Sequence, residues 1–204
     1  MEWERLQPLH LDVLKEIGNI GAGNSATALA GMLNKKINMD VPTAGVINFR
    51  EIIEMLGSEE EKAVCVNLSV KGDAPSTVLF LLSEQSAFVL VDYLMGREPG
   101  FTVEMDEMAE SALQEVGNIL TGSMLNALST MTGLPMSSSV PAIAYDMLAA
   151  VLSAALLERG YFEDKVLLIE TRFYDVNVVL KGYFMLIPAE GSLEKVFHTL
   201  GLNL

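Results

Sequence analysis

One cysteine, two histidines and one tryptophan in 204 residues leave little material for a disulfide framework or a thiolate–imidazole metal centre. Cys65 sits in the apolar alternation Val64-Cys65-Val66-Asn67-Leu68 and reads as a buried strand thiol; no intrachain disulfide can form, which suits a reducing cytoplasm. His10 and His198 have no metal-ligand spacing to each other or to Cys65, so no metal site of the chain's own is expected. Basic residues are also scarce. Thirteen Lys plus Arg face 27 Asp plus Glu, a formal charge of −14. Nucleic acid is therefore a poor partner, because phosphate binding needs Lys and Arg clusters, and a basic protein surface is the better electrostatic match. Long hydrophobic runs are missing too: the greasiest stretch, Met147 to Leu157, is interrupted by Ser153 and falls well short of the ~20 residues of a membrane span. The start, Met1-Glu2-Trp3-Glu4-Arg5, has no apolar run of a secretory signal. A soluble, cytoplasmic protein is expected.

What the chain has is a core and a repeat. Half of its residues are hydrophobic and only 20% are charged, too apolar for a disordered chain. Residues 12–36 lie over 111–135 at a constant offset of 99, without a gap. Nine of these 25 positions are identical: Leu14/Leu113, Glu16/Glu115, Gly18/Gly117, Asn19/Asn118, Ile20/Ile119, Gly23/Gly122, Ala28/Ala127, Leu29/Leu128 and Met32/Met131. Chance would give roughly one or two. Val41-Pro42 and Val140-Pro141 keep the offset, whereas Val78–Leu82 matches Tyr183–Ile187 at 105, placing about six extra residues between roughly 143 and 165.

Each unit reads the same way. A long helix (about Pro8 to Leu33; about Met105 to Thr132, closed by Gly133 and Pro135) precedes an extended segment (Ile37 to Asn48; Met136 to Tyr145) and a short helix (about Arg50 to Leu56; about Asp146 to Glu158). Two strands follow, Ala63 to Lys71 with Thr77 to Leu82, and Val166 to Tyr174 with Val178 to Ile187, joined by turn-like Lys71–Pro75 and Asp175-Val176-Asn177. A last helix closes each unit (Glu84 to Met95; Gly191 to Leu200). The expectation is an α/β protein of the α+β type: one globule, residues 1–204, built from repeats at about 8–100 and 105–204. A pseudo-two-fold sheet of about six strands, largely antiparallel or mixed, should carry two long helices.

On a helical wheel Asp12, Glu16, Asn19, Gly23 and Thr27 form one stripe, opposite Leu14, Ile17, Gly21, Ser25, Ala28 and Met32. In the copy, Ser111, Glu115, Asn118 and Gly122 line the stripe, opposite Leu113, Val116, Leu120, Met124, Ala127 and Met131. The shared element is [Asp/Ser]-x-x-x-Glu-x-x-Asn-x-x-x-Gly. Carboxylate and carboxamide three residues apart lie side by side, one turn along the helix. The glycine one turn further removes bulk and lets a partner's backbone approach, at a cost of about 1 kcal/mol relative to Ala. A phosphate loop at Gly18–Asn24 is a poor alternative, since it follows no strand, lacks the Gly-Lys-Ser/Thr ending and has Leu120 where the first copy has Gly21.

With this duplicated motif the chain resembles, over essentially its whole length, the CheC family of bacterial chemotaxis phosphatases, relatives of CheX and of the phosphatase domain of FliY. The resemblance implies hydrolysis of the aspartyl phosphate on the response regulator CheY, with Glu16 and Asn19 forming one site and Glu115 and Asn118 the other. Asp12 and Ser111 match the motif's variable first position, and neither half departs from the pattern. The implied cofactor is none of the protein's own, Mg²⁺ arriving with the phosphorylated regulator. A second implied partner is the receptor deamidase CheD, for which the helix beginning at Asp146 is a candidate dock, buried packing being the simpler account of that apolar run.

Two other readings compete. One is a noncatalytic module that sequesters phosphorylated regulator, as a flagellar-switch component would; the chain's end at Leu204 with no further domain speaks against a switch component. The other is a hydrolase using Glu16 and Glu115 as paired carboxylates, but two outward stripes on separate helices have no reason to converge. Duplication within one chain makes a monomer sufficient.

Overall fold

The computed structural model describes residues 2–33, 36–157, 165–174 and 179–204. Helix α1 spans Pro8–Leu33 and α4 spans Glu107–Thr132, each 26 residues. Proline is tolerated at the start of α1 because the first-turn N–H has no helical partner. Asp106 caps α4, its side chain accepting from the Ala109 N–H at 2.8 Å, and Gly133 ends it in the left-handed conformation at φ 72°. The shorter helices are α2 (Phe49–Leu56), α3 (Glu84–Leu94), α5 (Leu148–Leu157) and α6 (Ser192–Thr199). Helix α2 opens on a full capping box between Asn48 and Glu51.

The strands are β1 (Asn38–Asp40), β2 (Ala44–Asn48), β3 (Lys62–Gly72), β4 (Ser76–Ser83), β5 (Met136–Ser138), β6 (Ala142–Met147), β7 (Lys165–Tyr174) and β8 (Val179–Pro188). Each expected extended segment is thus two short strands, broken at Pro42 and Pro141, where a missing N–H interrupts the ladder. The sheet has eight strands in the order β1-β7-β8-β4-β3-β5, with β2 also on β7 and β6 also on β3. Every pairing among the described residues is antiparallel.

The two halves exchange partners in this sheet. First-half β1 and β2 pair with second-half β7, second-half β5 and β6 pair with first-half β3, and β4 and β8 meet in the middle. Strands β3 and β4 are apolar on both faces, which places one core beneath the long helices and another beneath α2 and α5. Cys65 lies in the latter core, and burial pushes its thiol pKa up to about 12. His10 is a core residue as well, 3% exposed, accepting from the Gln7 N–H and lying 4.6 Å from the Phe197 ring.

The N-terminal 3-10 turn, Glu2–Arg5, is an element that periodicity did not reveal; Trp3 anchors it beside Leu14, Leu167 and Phe197. Asp146, expected to open the short helix, instead belongs to β6, opposite Ala63. The ladder with β3 runs on to Met147 opposite Lys62, and the Tyr145 hydroxyl ties this end of β6 by donating to Glu84 and receiving a hydrogen bond from Lys62 Nζ at 3.2 Å. Within α5, Leu148, Val151 and Leu152 are buried, whereas Met147 just before it and Ala150, Ser153 and Ala154 are exposed. The expected turn at Asp175-Val176-Asn177 and the helix end at Glu158 lie outside the described residues.

Candidate functional site

Both stripes are turned outward as expected. Asp12, Glu16 and Gly23 are exposed on α1, and Ser111, Glu115, Asn118 and Gly122 on α4, while Asn19 is half-buried. On the opposite sides Leu14, Ile17, Leu113, Val116 and Leu120 are buried. Ala28 and Met32, expected inside, are exposed, Met32 by 50%, and Met131 by 40%. The cause is the antiparallel crossing of α1 and α4: a Cβ built on Gly21 would lie 3.0 Å from Met124 Cα, Ile17 shares a cluster with Ala127, and Met32 borders the same groove as Met108. Near its C-terminus each helix runs past the shared core.

Two glycines not singled out by the motif set these helices on the sheet. A Cβ at Gly117 would come within 2.6 Å of Val66 Cγ1, and one at Gly18 within 3.3 Å of Val41 Cγ2 and 3.4 Å of Ile169 Cγ2. Each lies between the Glu and the Asn of its stripe, so close helix–sheet approach fixes the rotation that exposes Glu16, Glu115 and Asn118 and leaves Asn19 half-buried at the helix flank. The sequence signal was present: Gly18 and Gly117 are one of the nine matched pairs. Gly23 and Gly122 are different, since a Cβ at either would meet nothing within 4 Å. Nothing among the described residues requires a glycine there for packing.

The surroundings of the two asparagines are unequal. The Val41 N–H donates to Asn19 Oδ1 at 2.9 Å, and Val41 itself is 2% exposed. The matching Val140 is 87% exposed, and no hydrogen bond joins the Asn118 side chain to any described residue. Instead Asn118 and Glu115 border an open cleft of about 570 Å³, walled by Ser138, Ser139, Val140 and Pro141. A second groove, about 620 Å³, lies on the other flank of α4 between Met32, Met95 and Met108 and shares Ser111 and Glu115 with the first. No Lys or Arg lines either one.

Glu16, Glu115 and Asn118 make no ion pair or hydrogen bond to the described side chains, so they are available to a partner. No group of three or more His, Cys, Asp or Glu among the described residues is placed to hold a metal ion. Asp146 is exposed near the end of β6, its Oδ1 accepting from the Met147 N–H at 2.7 Å, and lines neither groove. No described helix is long and apolar enough to cross a membrane.

This geometry can be set beside known proteins. The CheC-like family model matches residues 9–46 and 108–145, which contain the two stripes. The chain is 37% identical over 199 residues to the CheY-P phosphatase CheC of Bacillus subtilis (strain 168), covering 95% of each chain. It is 28% identical over 143 residues to the flagellar motor switch phosphatase FliY of the same organism, covering 70% of this chain and 37% of that one. The crystal structure of Thermotoga maritima FliY superposes with a TM-score of 0.77 at 22% identity, covering 96% of this chain and 98% of the other, a likeness of fold. Matched stripes and full-length identity lead to one conclusion: the chain belongs to the CheC-like family.

Proposed function

We propose that this protein hydrolyses the aspartyl phosphate of a phosphorylated CheY-type response regulator in the cytoplasm, acting as a monomer with two sites. The observation that carries this reading is the repeated Glu and Asn one helical turn apart, exposed at Glu16, Glu115 and Asn118 and half-buried at Asn19, opposite buried Leu14, Ile17, Leu113, Val116 and Leu120.

The chemistry asks little of the enzyme beyond positioning. An acyl phosphate has a good leaving group, so water attacks phosphorus in line while the bond from phosphorus to the aspartyl oxygen breaks. Products are the aspartate carboxylate and inorganic phosphate, which carries the water's oxygen; the proton released goes to solvent. Asn19 or Asn118 holds that water. A neutral carboxamide can donate to it and accept from it, whereas an Asp in its place would repel the phosphoryl oxygens. Glu16 or Glu115 pairs with a cationic side chain of the regulator and so sets the helix over the phosphate. Mg²⁺ belongs to the substrate, held by the regulator beside its phosphoaspartate, and no covalent enzyme intermediate forms.

The deciding experiment measures the lifetime of phosphorylated CheY with and without this protein. A shortened lifetime, abolished in the Asn19→Ala/Asn118→Ala double variant, supports hydrolysis. Retention of full activity by a folded double variant would sink the mechanism, and an unchanged or lengthened lifetime would mean sequestration. A CheD-type deamidase is the second proposed partner, docking near Asp146, where Met147 is 48% exposed. Pull-down with Asp146→Lys, checked for folding by circular dichroism, should lose it.

A further inference from the structure

The end of β1 joins the two halves through one ion pair. Asp40 and Arg172 stand opposite each other across β1 and β7, and the pair is bidentate: Arg172 Nε donates to Asp40 Oδ1 at 2.9 Å and Nη2 to Oδ2 at 2.7 Å. The residue after Asp40 is Val41, whose N–H donates to Asn19 Oδ1. That bond fixes which way the carboxamide points, because an N–H cannot donate to the amide nitrogen. Asn19 therefore turns its oxygen inward and its amino group away from Val41.

The second half lacks this clamp. Gly18 packs on Ile169 where Gly117 packs on Val66, so β7 and β3 correspond at an offset of 103, which matches Arg172 to Ser69. At the helix offset of 99, Asp40 matches Ser139. In place of the ion pair, the Ser69 N–H donates to Ser139 Oγ at 3.0 Å, and the Ser139 N–H to the Ser69 carbonyl at 2.8 Å. Val140 then swings outward and leaves Asn118 without an internal partner among the described residues.

Building on the phosphatase reading, we infer that Arg172 is a positioning residue for the first site: through Asp40 and Val41 it orients the Asn19 carboxamide, whereas Asn118 orients only when substrate arrives. Arg172 touches no reacting atom. Its effect falls on how often Asn19 presents its amino group to the attacking water, and hence on kcat, while docking through Glu16 governs KM.

Each site is isolated by silencing the other asparagine. In an Asn118→Ala background, Arg172→Gln should lower kcat for phosphorylated CheY by about fivefold, the size of one net hydrogen bond, with KM nearly unchanged. In an Asn19→Ala background the same substitution should leave kcat alone. Reversal of the pair, Asp40→Arg with Arg172→Asp, should restore most of the loss. Equal loss in both backgrounds, or no loss in the first, overturns the proposal. Amide exchange at Val41, measured without any regulator, separates this inference from the phosphatase reading. Arg172→Gln and Asn19→Ala should each reduce its protection by about fivefold. Unchanged protection overturns the clamp even if the protein proves a phosphatase, and lost protection in a chain without phosphatase activity overturns the activity and leaves the clamp.

Discussion

Gly117 lies so close to Val66 that a methyl group added to it would stand 2.6 Å from Val66 Cγ1, well inside van der Waals contact. This approach sits at the base of the second candidate site, between Glu115 and Asn118. Gly117→Ala should destabilise the protein by about 1–3 kcal/mol, overpacking outweighing the gain in helix propensity. Gly18→Ala, with its nearest neighbour at 3.3 Å, should cost much less. Denaturant midpoints for both, and for Gly117→Ala with Val66→Ala, test this; the double variant should recover part of the loss.

The outer glycines carry the opposite expectation. With open space at Gly23 and Gly122, alanine should fit and raise stability by up to about 1 kcal/mol at each position. Leucine should also be accepted by the fold but weaken binding of phosphorylated regulator by tenfold or more. Unchanged affinity of Gly122→Leu, in a background where Glu16 is alanine and Gly23 is leucine, would show that no partner approaches this stripe closely.

Between the halves, Asp92 is fully buried on α3 and gathers the following loop. Its carboxylate accepts from the N–H groups of Gly100, Phe101 and Thr102 and from the Thr102 hydroxyl. Burial alone would raise its pKa, but the hydrogen bonds outweigh burial and hold it below the ordinary carboxylate value. A lowered folded-state pKa contributes stability above the unfolded value of about 3.9, and that contribution is lost as pH falls through the folded value. Asp92→Asn should therefore cost about 1–3 kcal/mol at neutral pH and flatten the acid limb of the stability curve below about pH 4. Urea titrations at pH 7 and pH 3.5 measure both.

Cys65 should be silent to thiol reagents in the folded protein, because its thiol is 1% exposed and its pKa is pushed up to about 12. Labelling should follow opening of the sheet and accelerate in step with urea. Rapid labelling in buffer alone would contradict the placement of β3 between β4 and β6, with Cys65 turned into the core beneath α2 and α5.

Much of this was legible in the sequence, for local reasons. The bounds of α1 coincide with the helical periodicity, and those of α4 with its caps at Asp106 and Gly133. Strands β3, β4, β7 and β8 stand where apolar alternation puts them, to within a residue or two. The remainder depended on partners distant along the chain. Strands of three to six residues around Pro42 and Pro141 have too few positions for a period, and only pairing with β7 and β3 defines them. Asp146 stands among alanines and leucines that suit a helix, and pairing with Ala63 on β3, distant along the chain, makes it a strand residue. In the candidate site the sequence pairs Asn19 with Asn118 as equals. The difference between them lies at Asp40 against Ser139 and Arg172 against Ser69, outside the motif.

The exchange of edge strands between the halves bears on how the chain can be made. Asn38 pairs with Tyr174, 136 residues later, so the first half cannot complete its own sheet as it leaves the ribosome. Until β7 has been synthesised, β1 and β2 have no ladder, and Val41 has no settled place beside Asn19. Contacts of such long sequence separation make folding slow and leave early strands unpaired meanwhile. The first candidate site is thus assembled late in synthesis, although nearly all of its residues are made first.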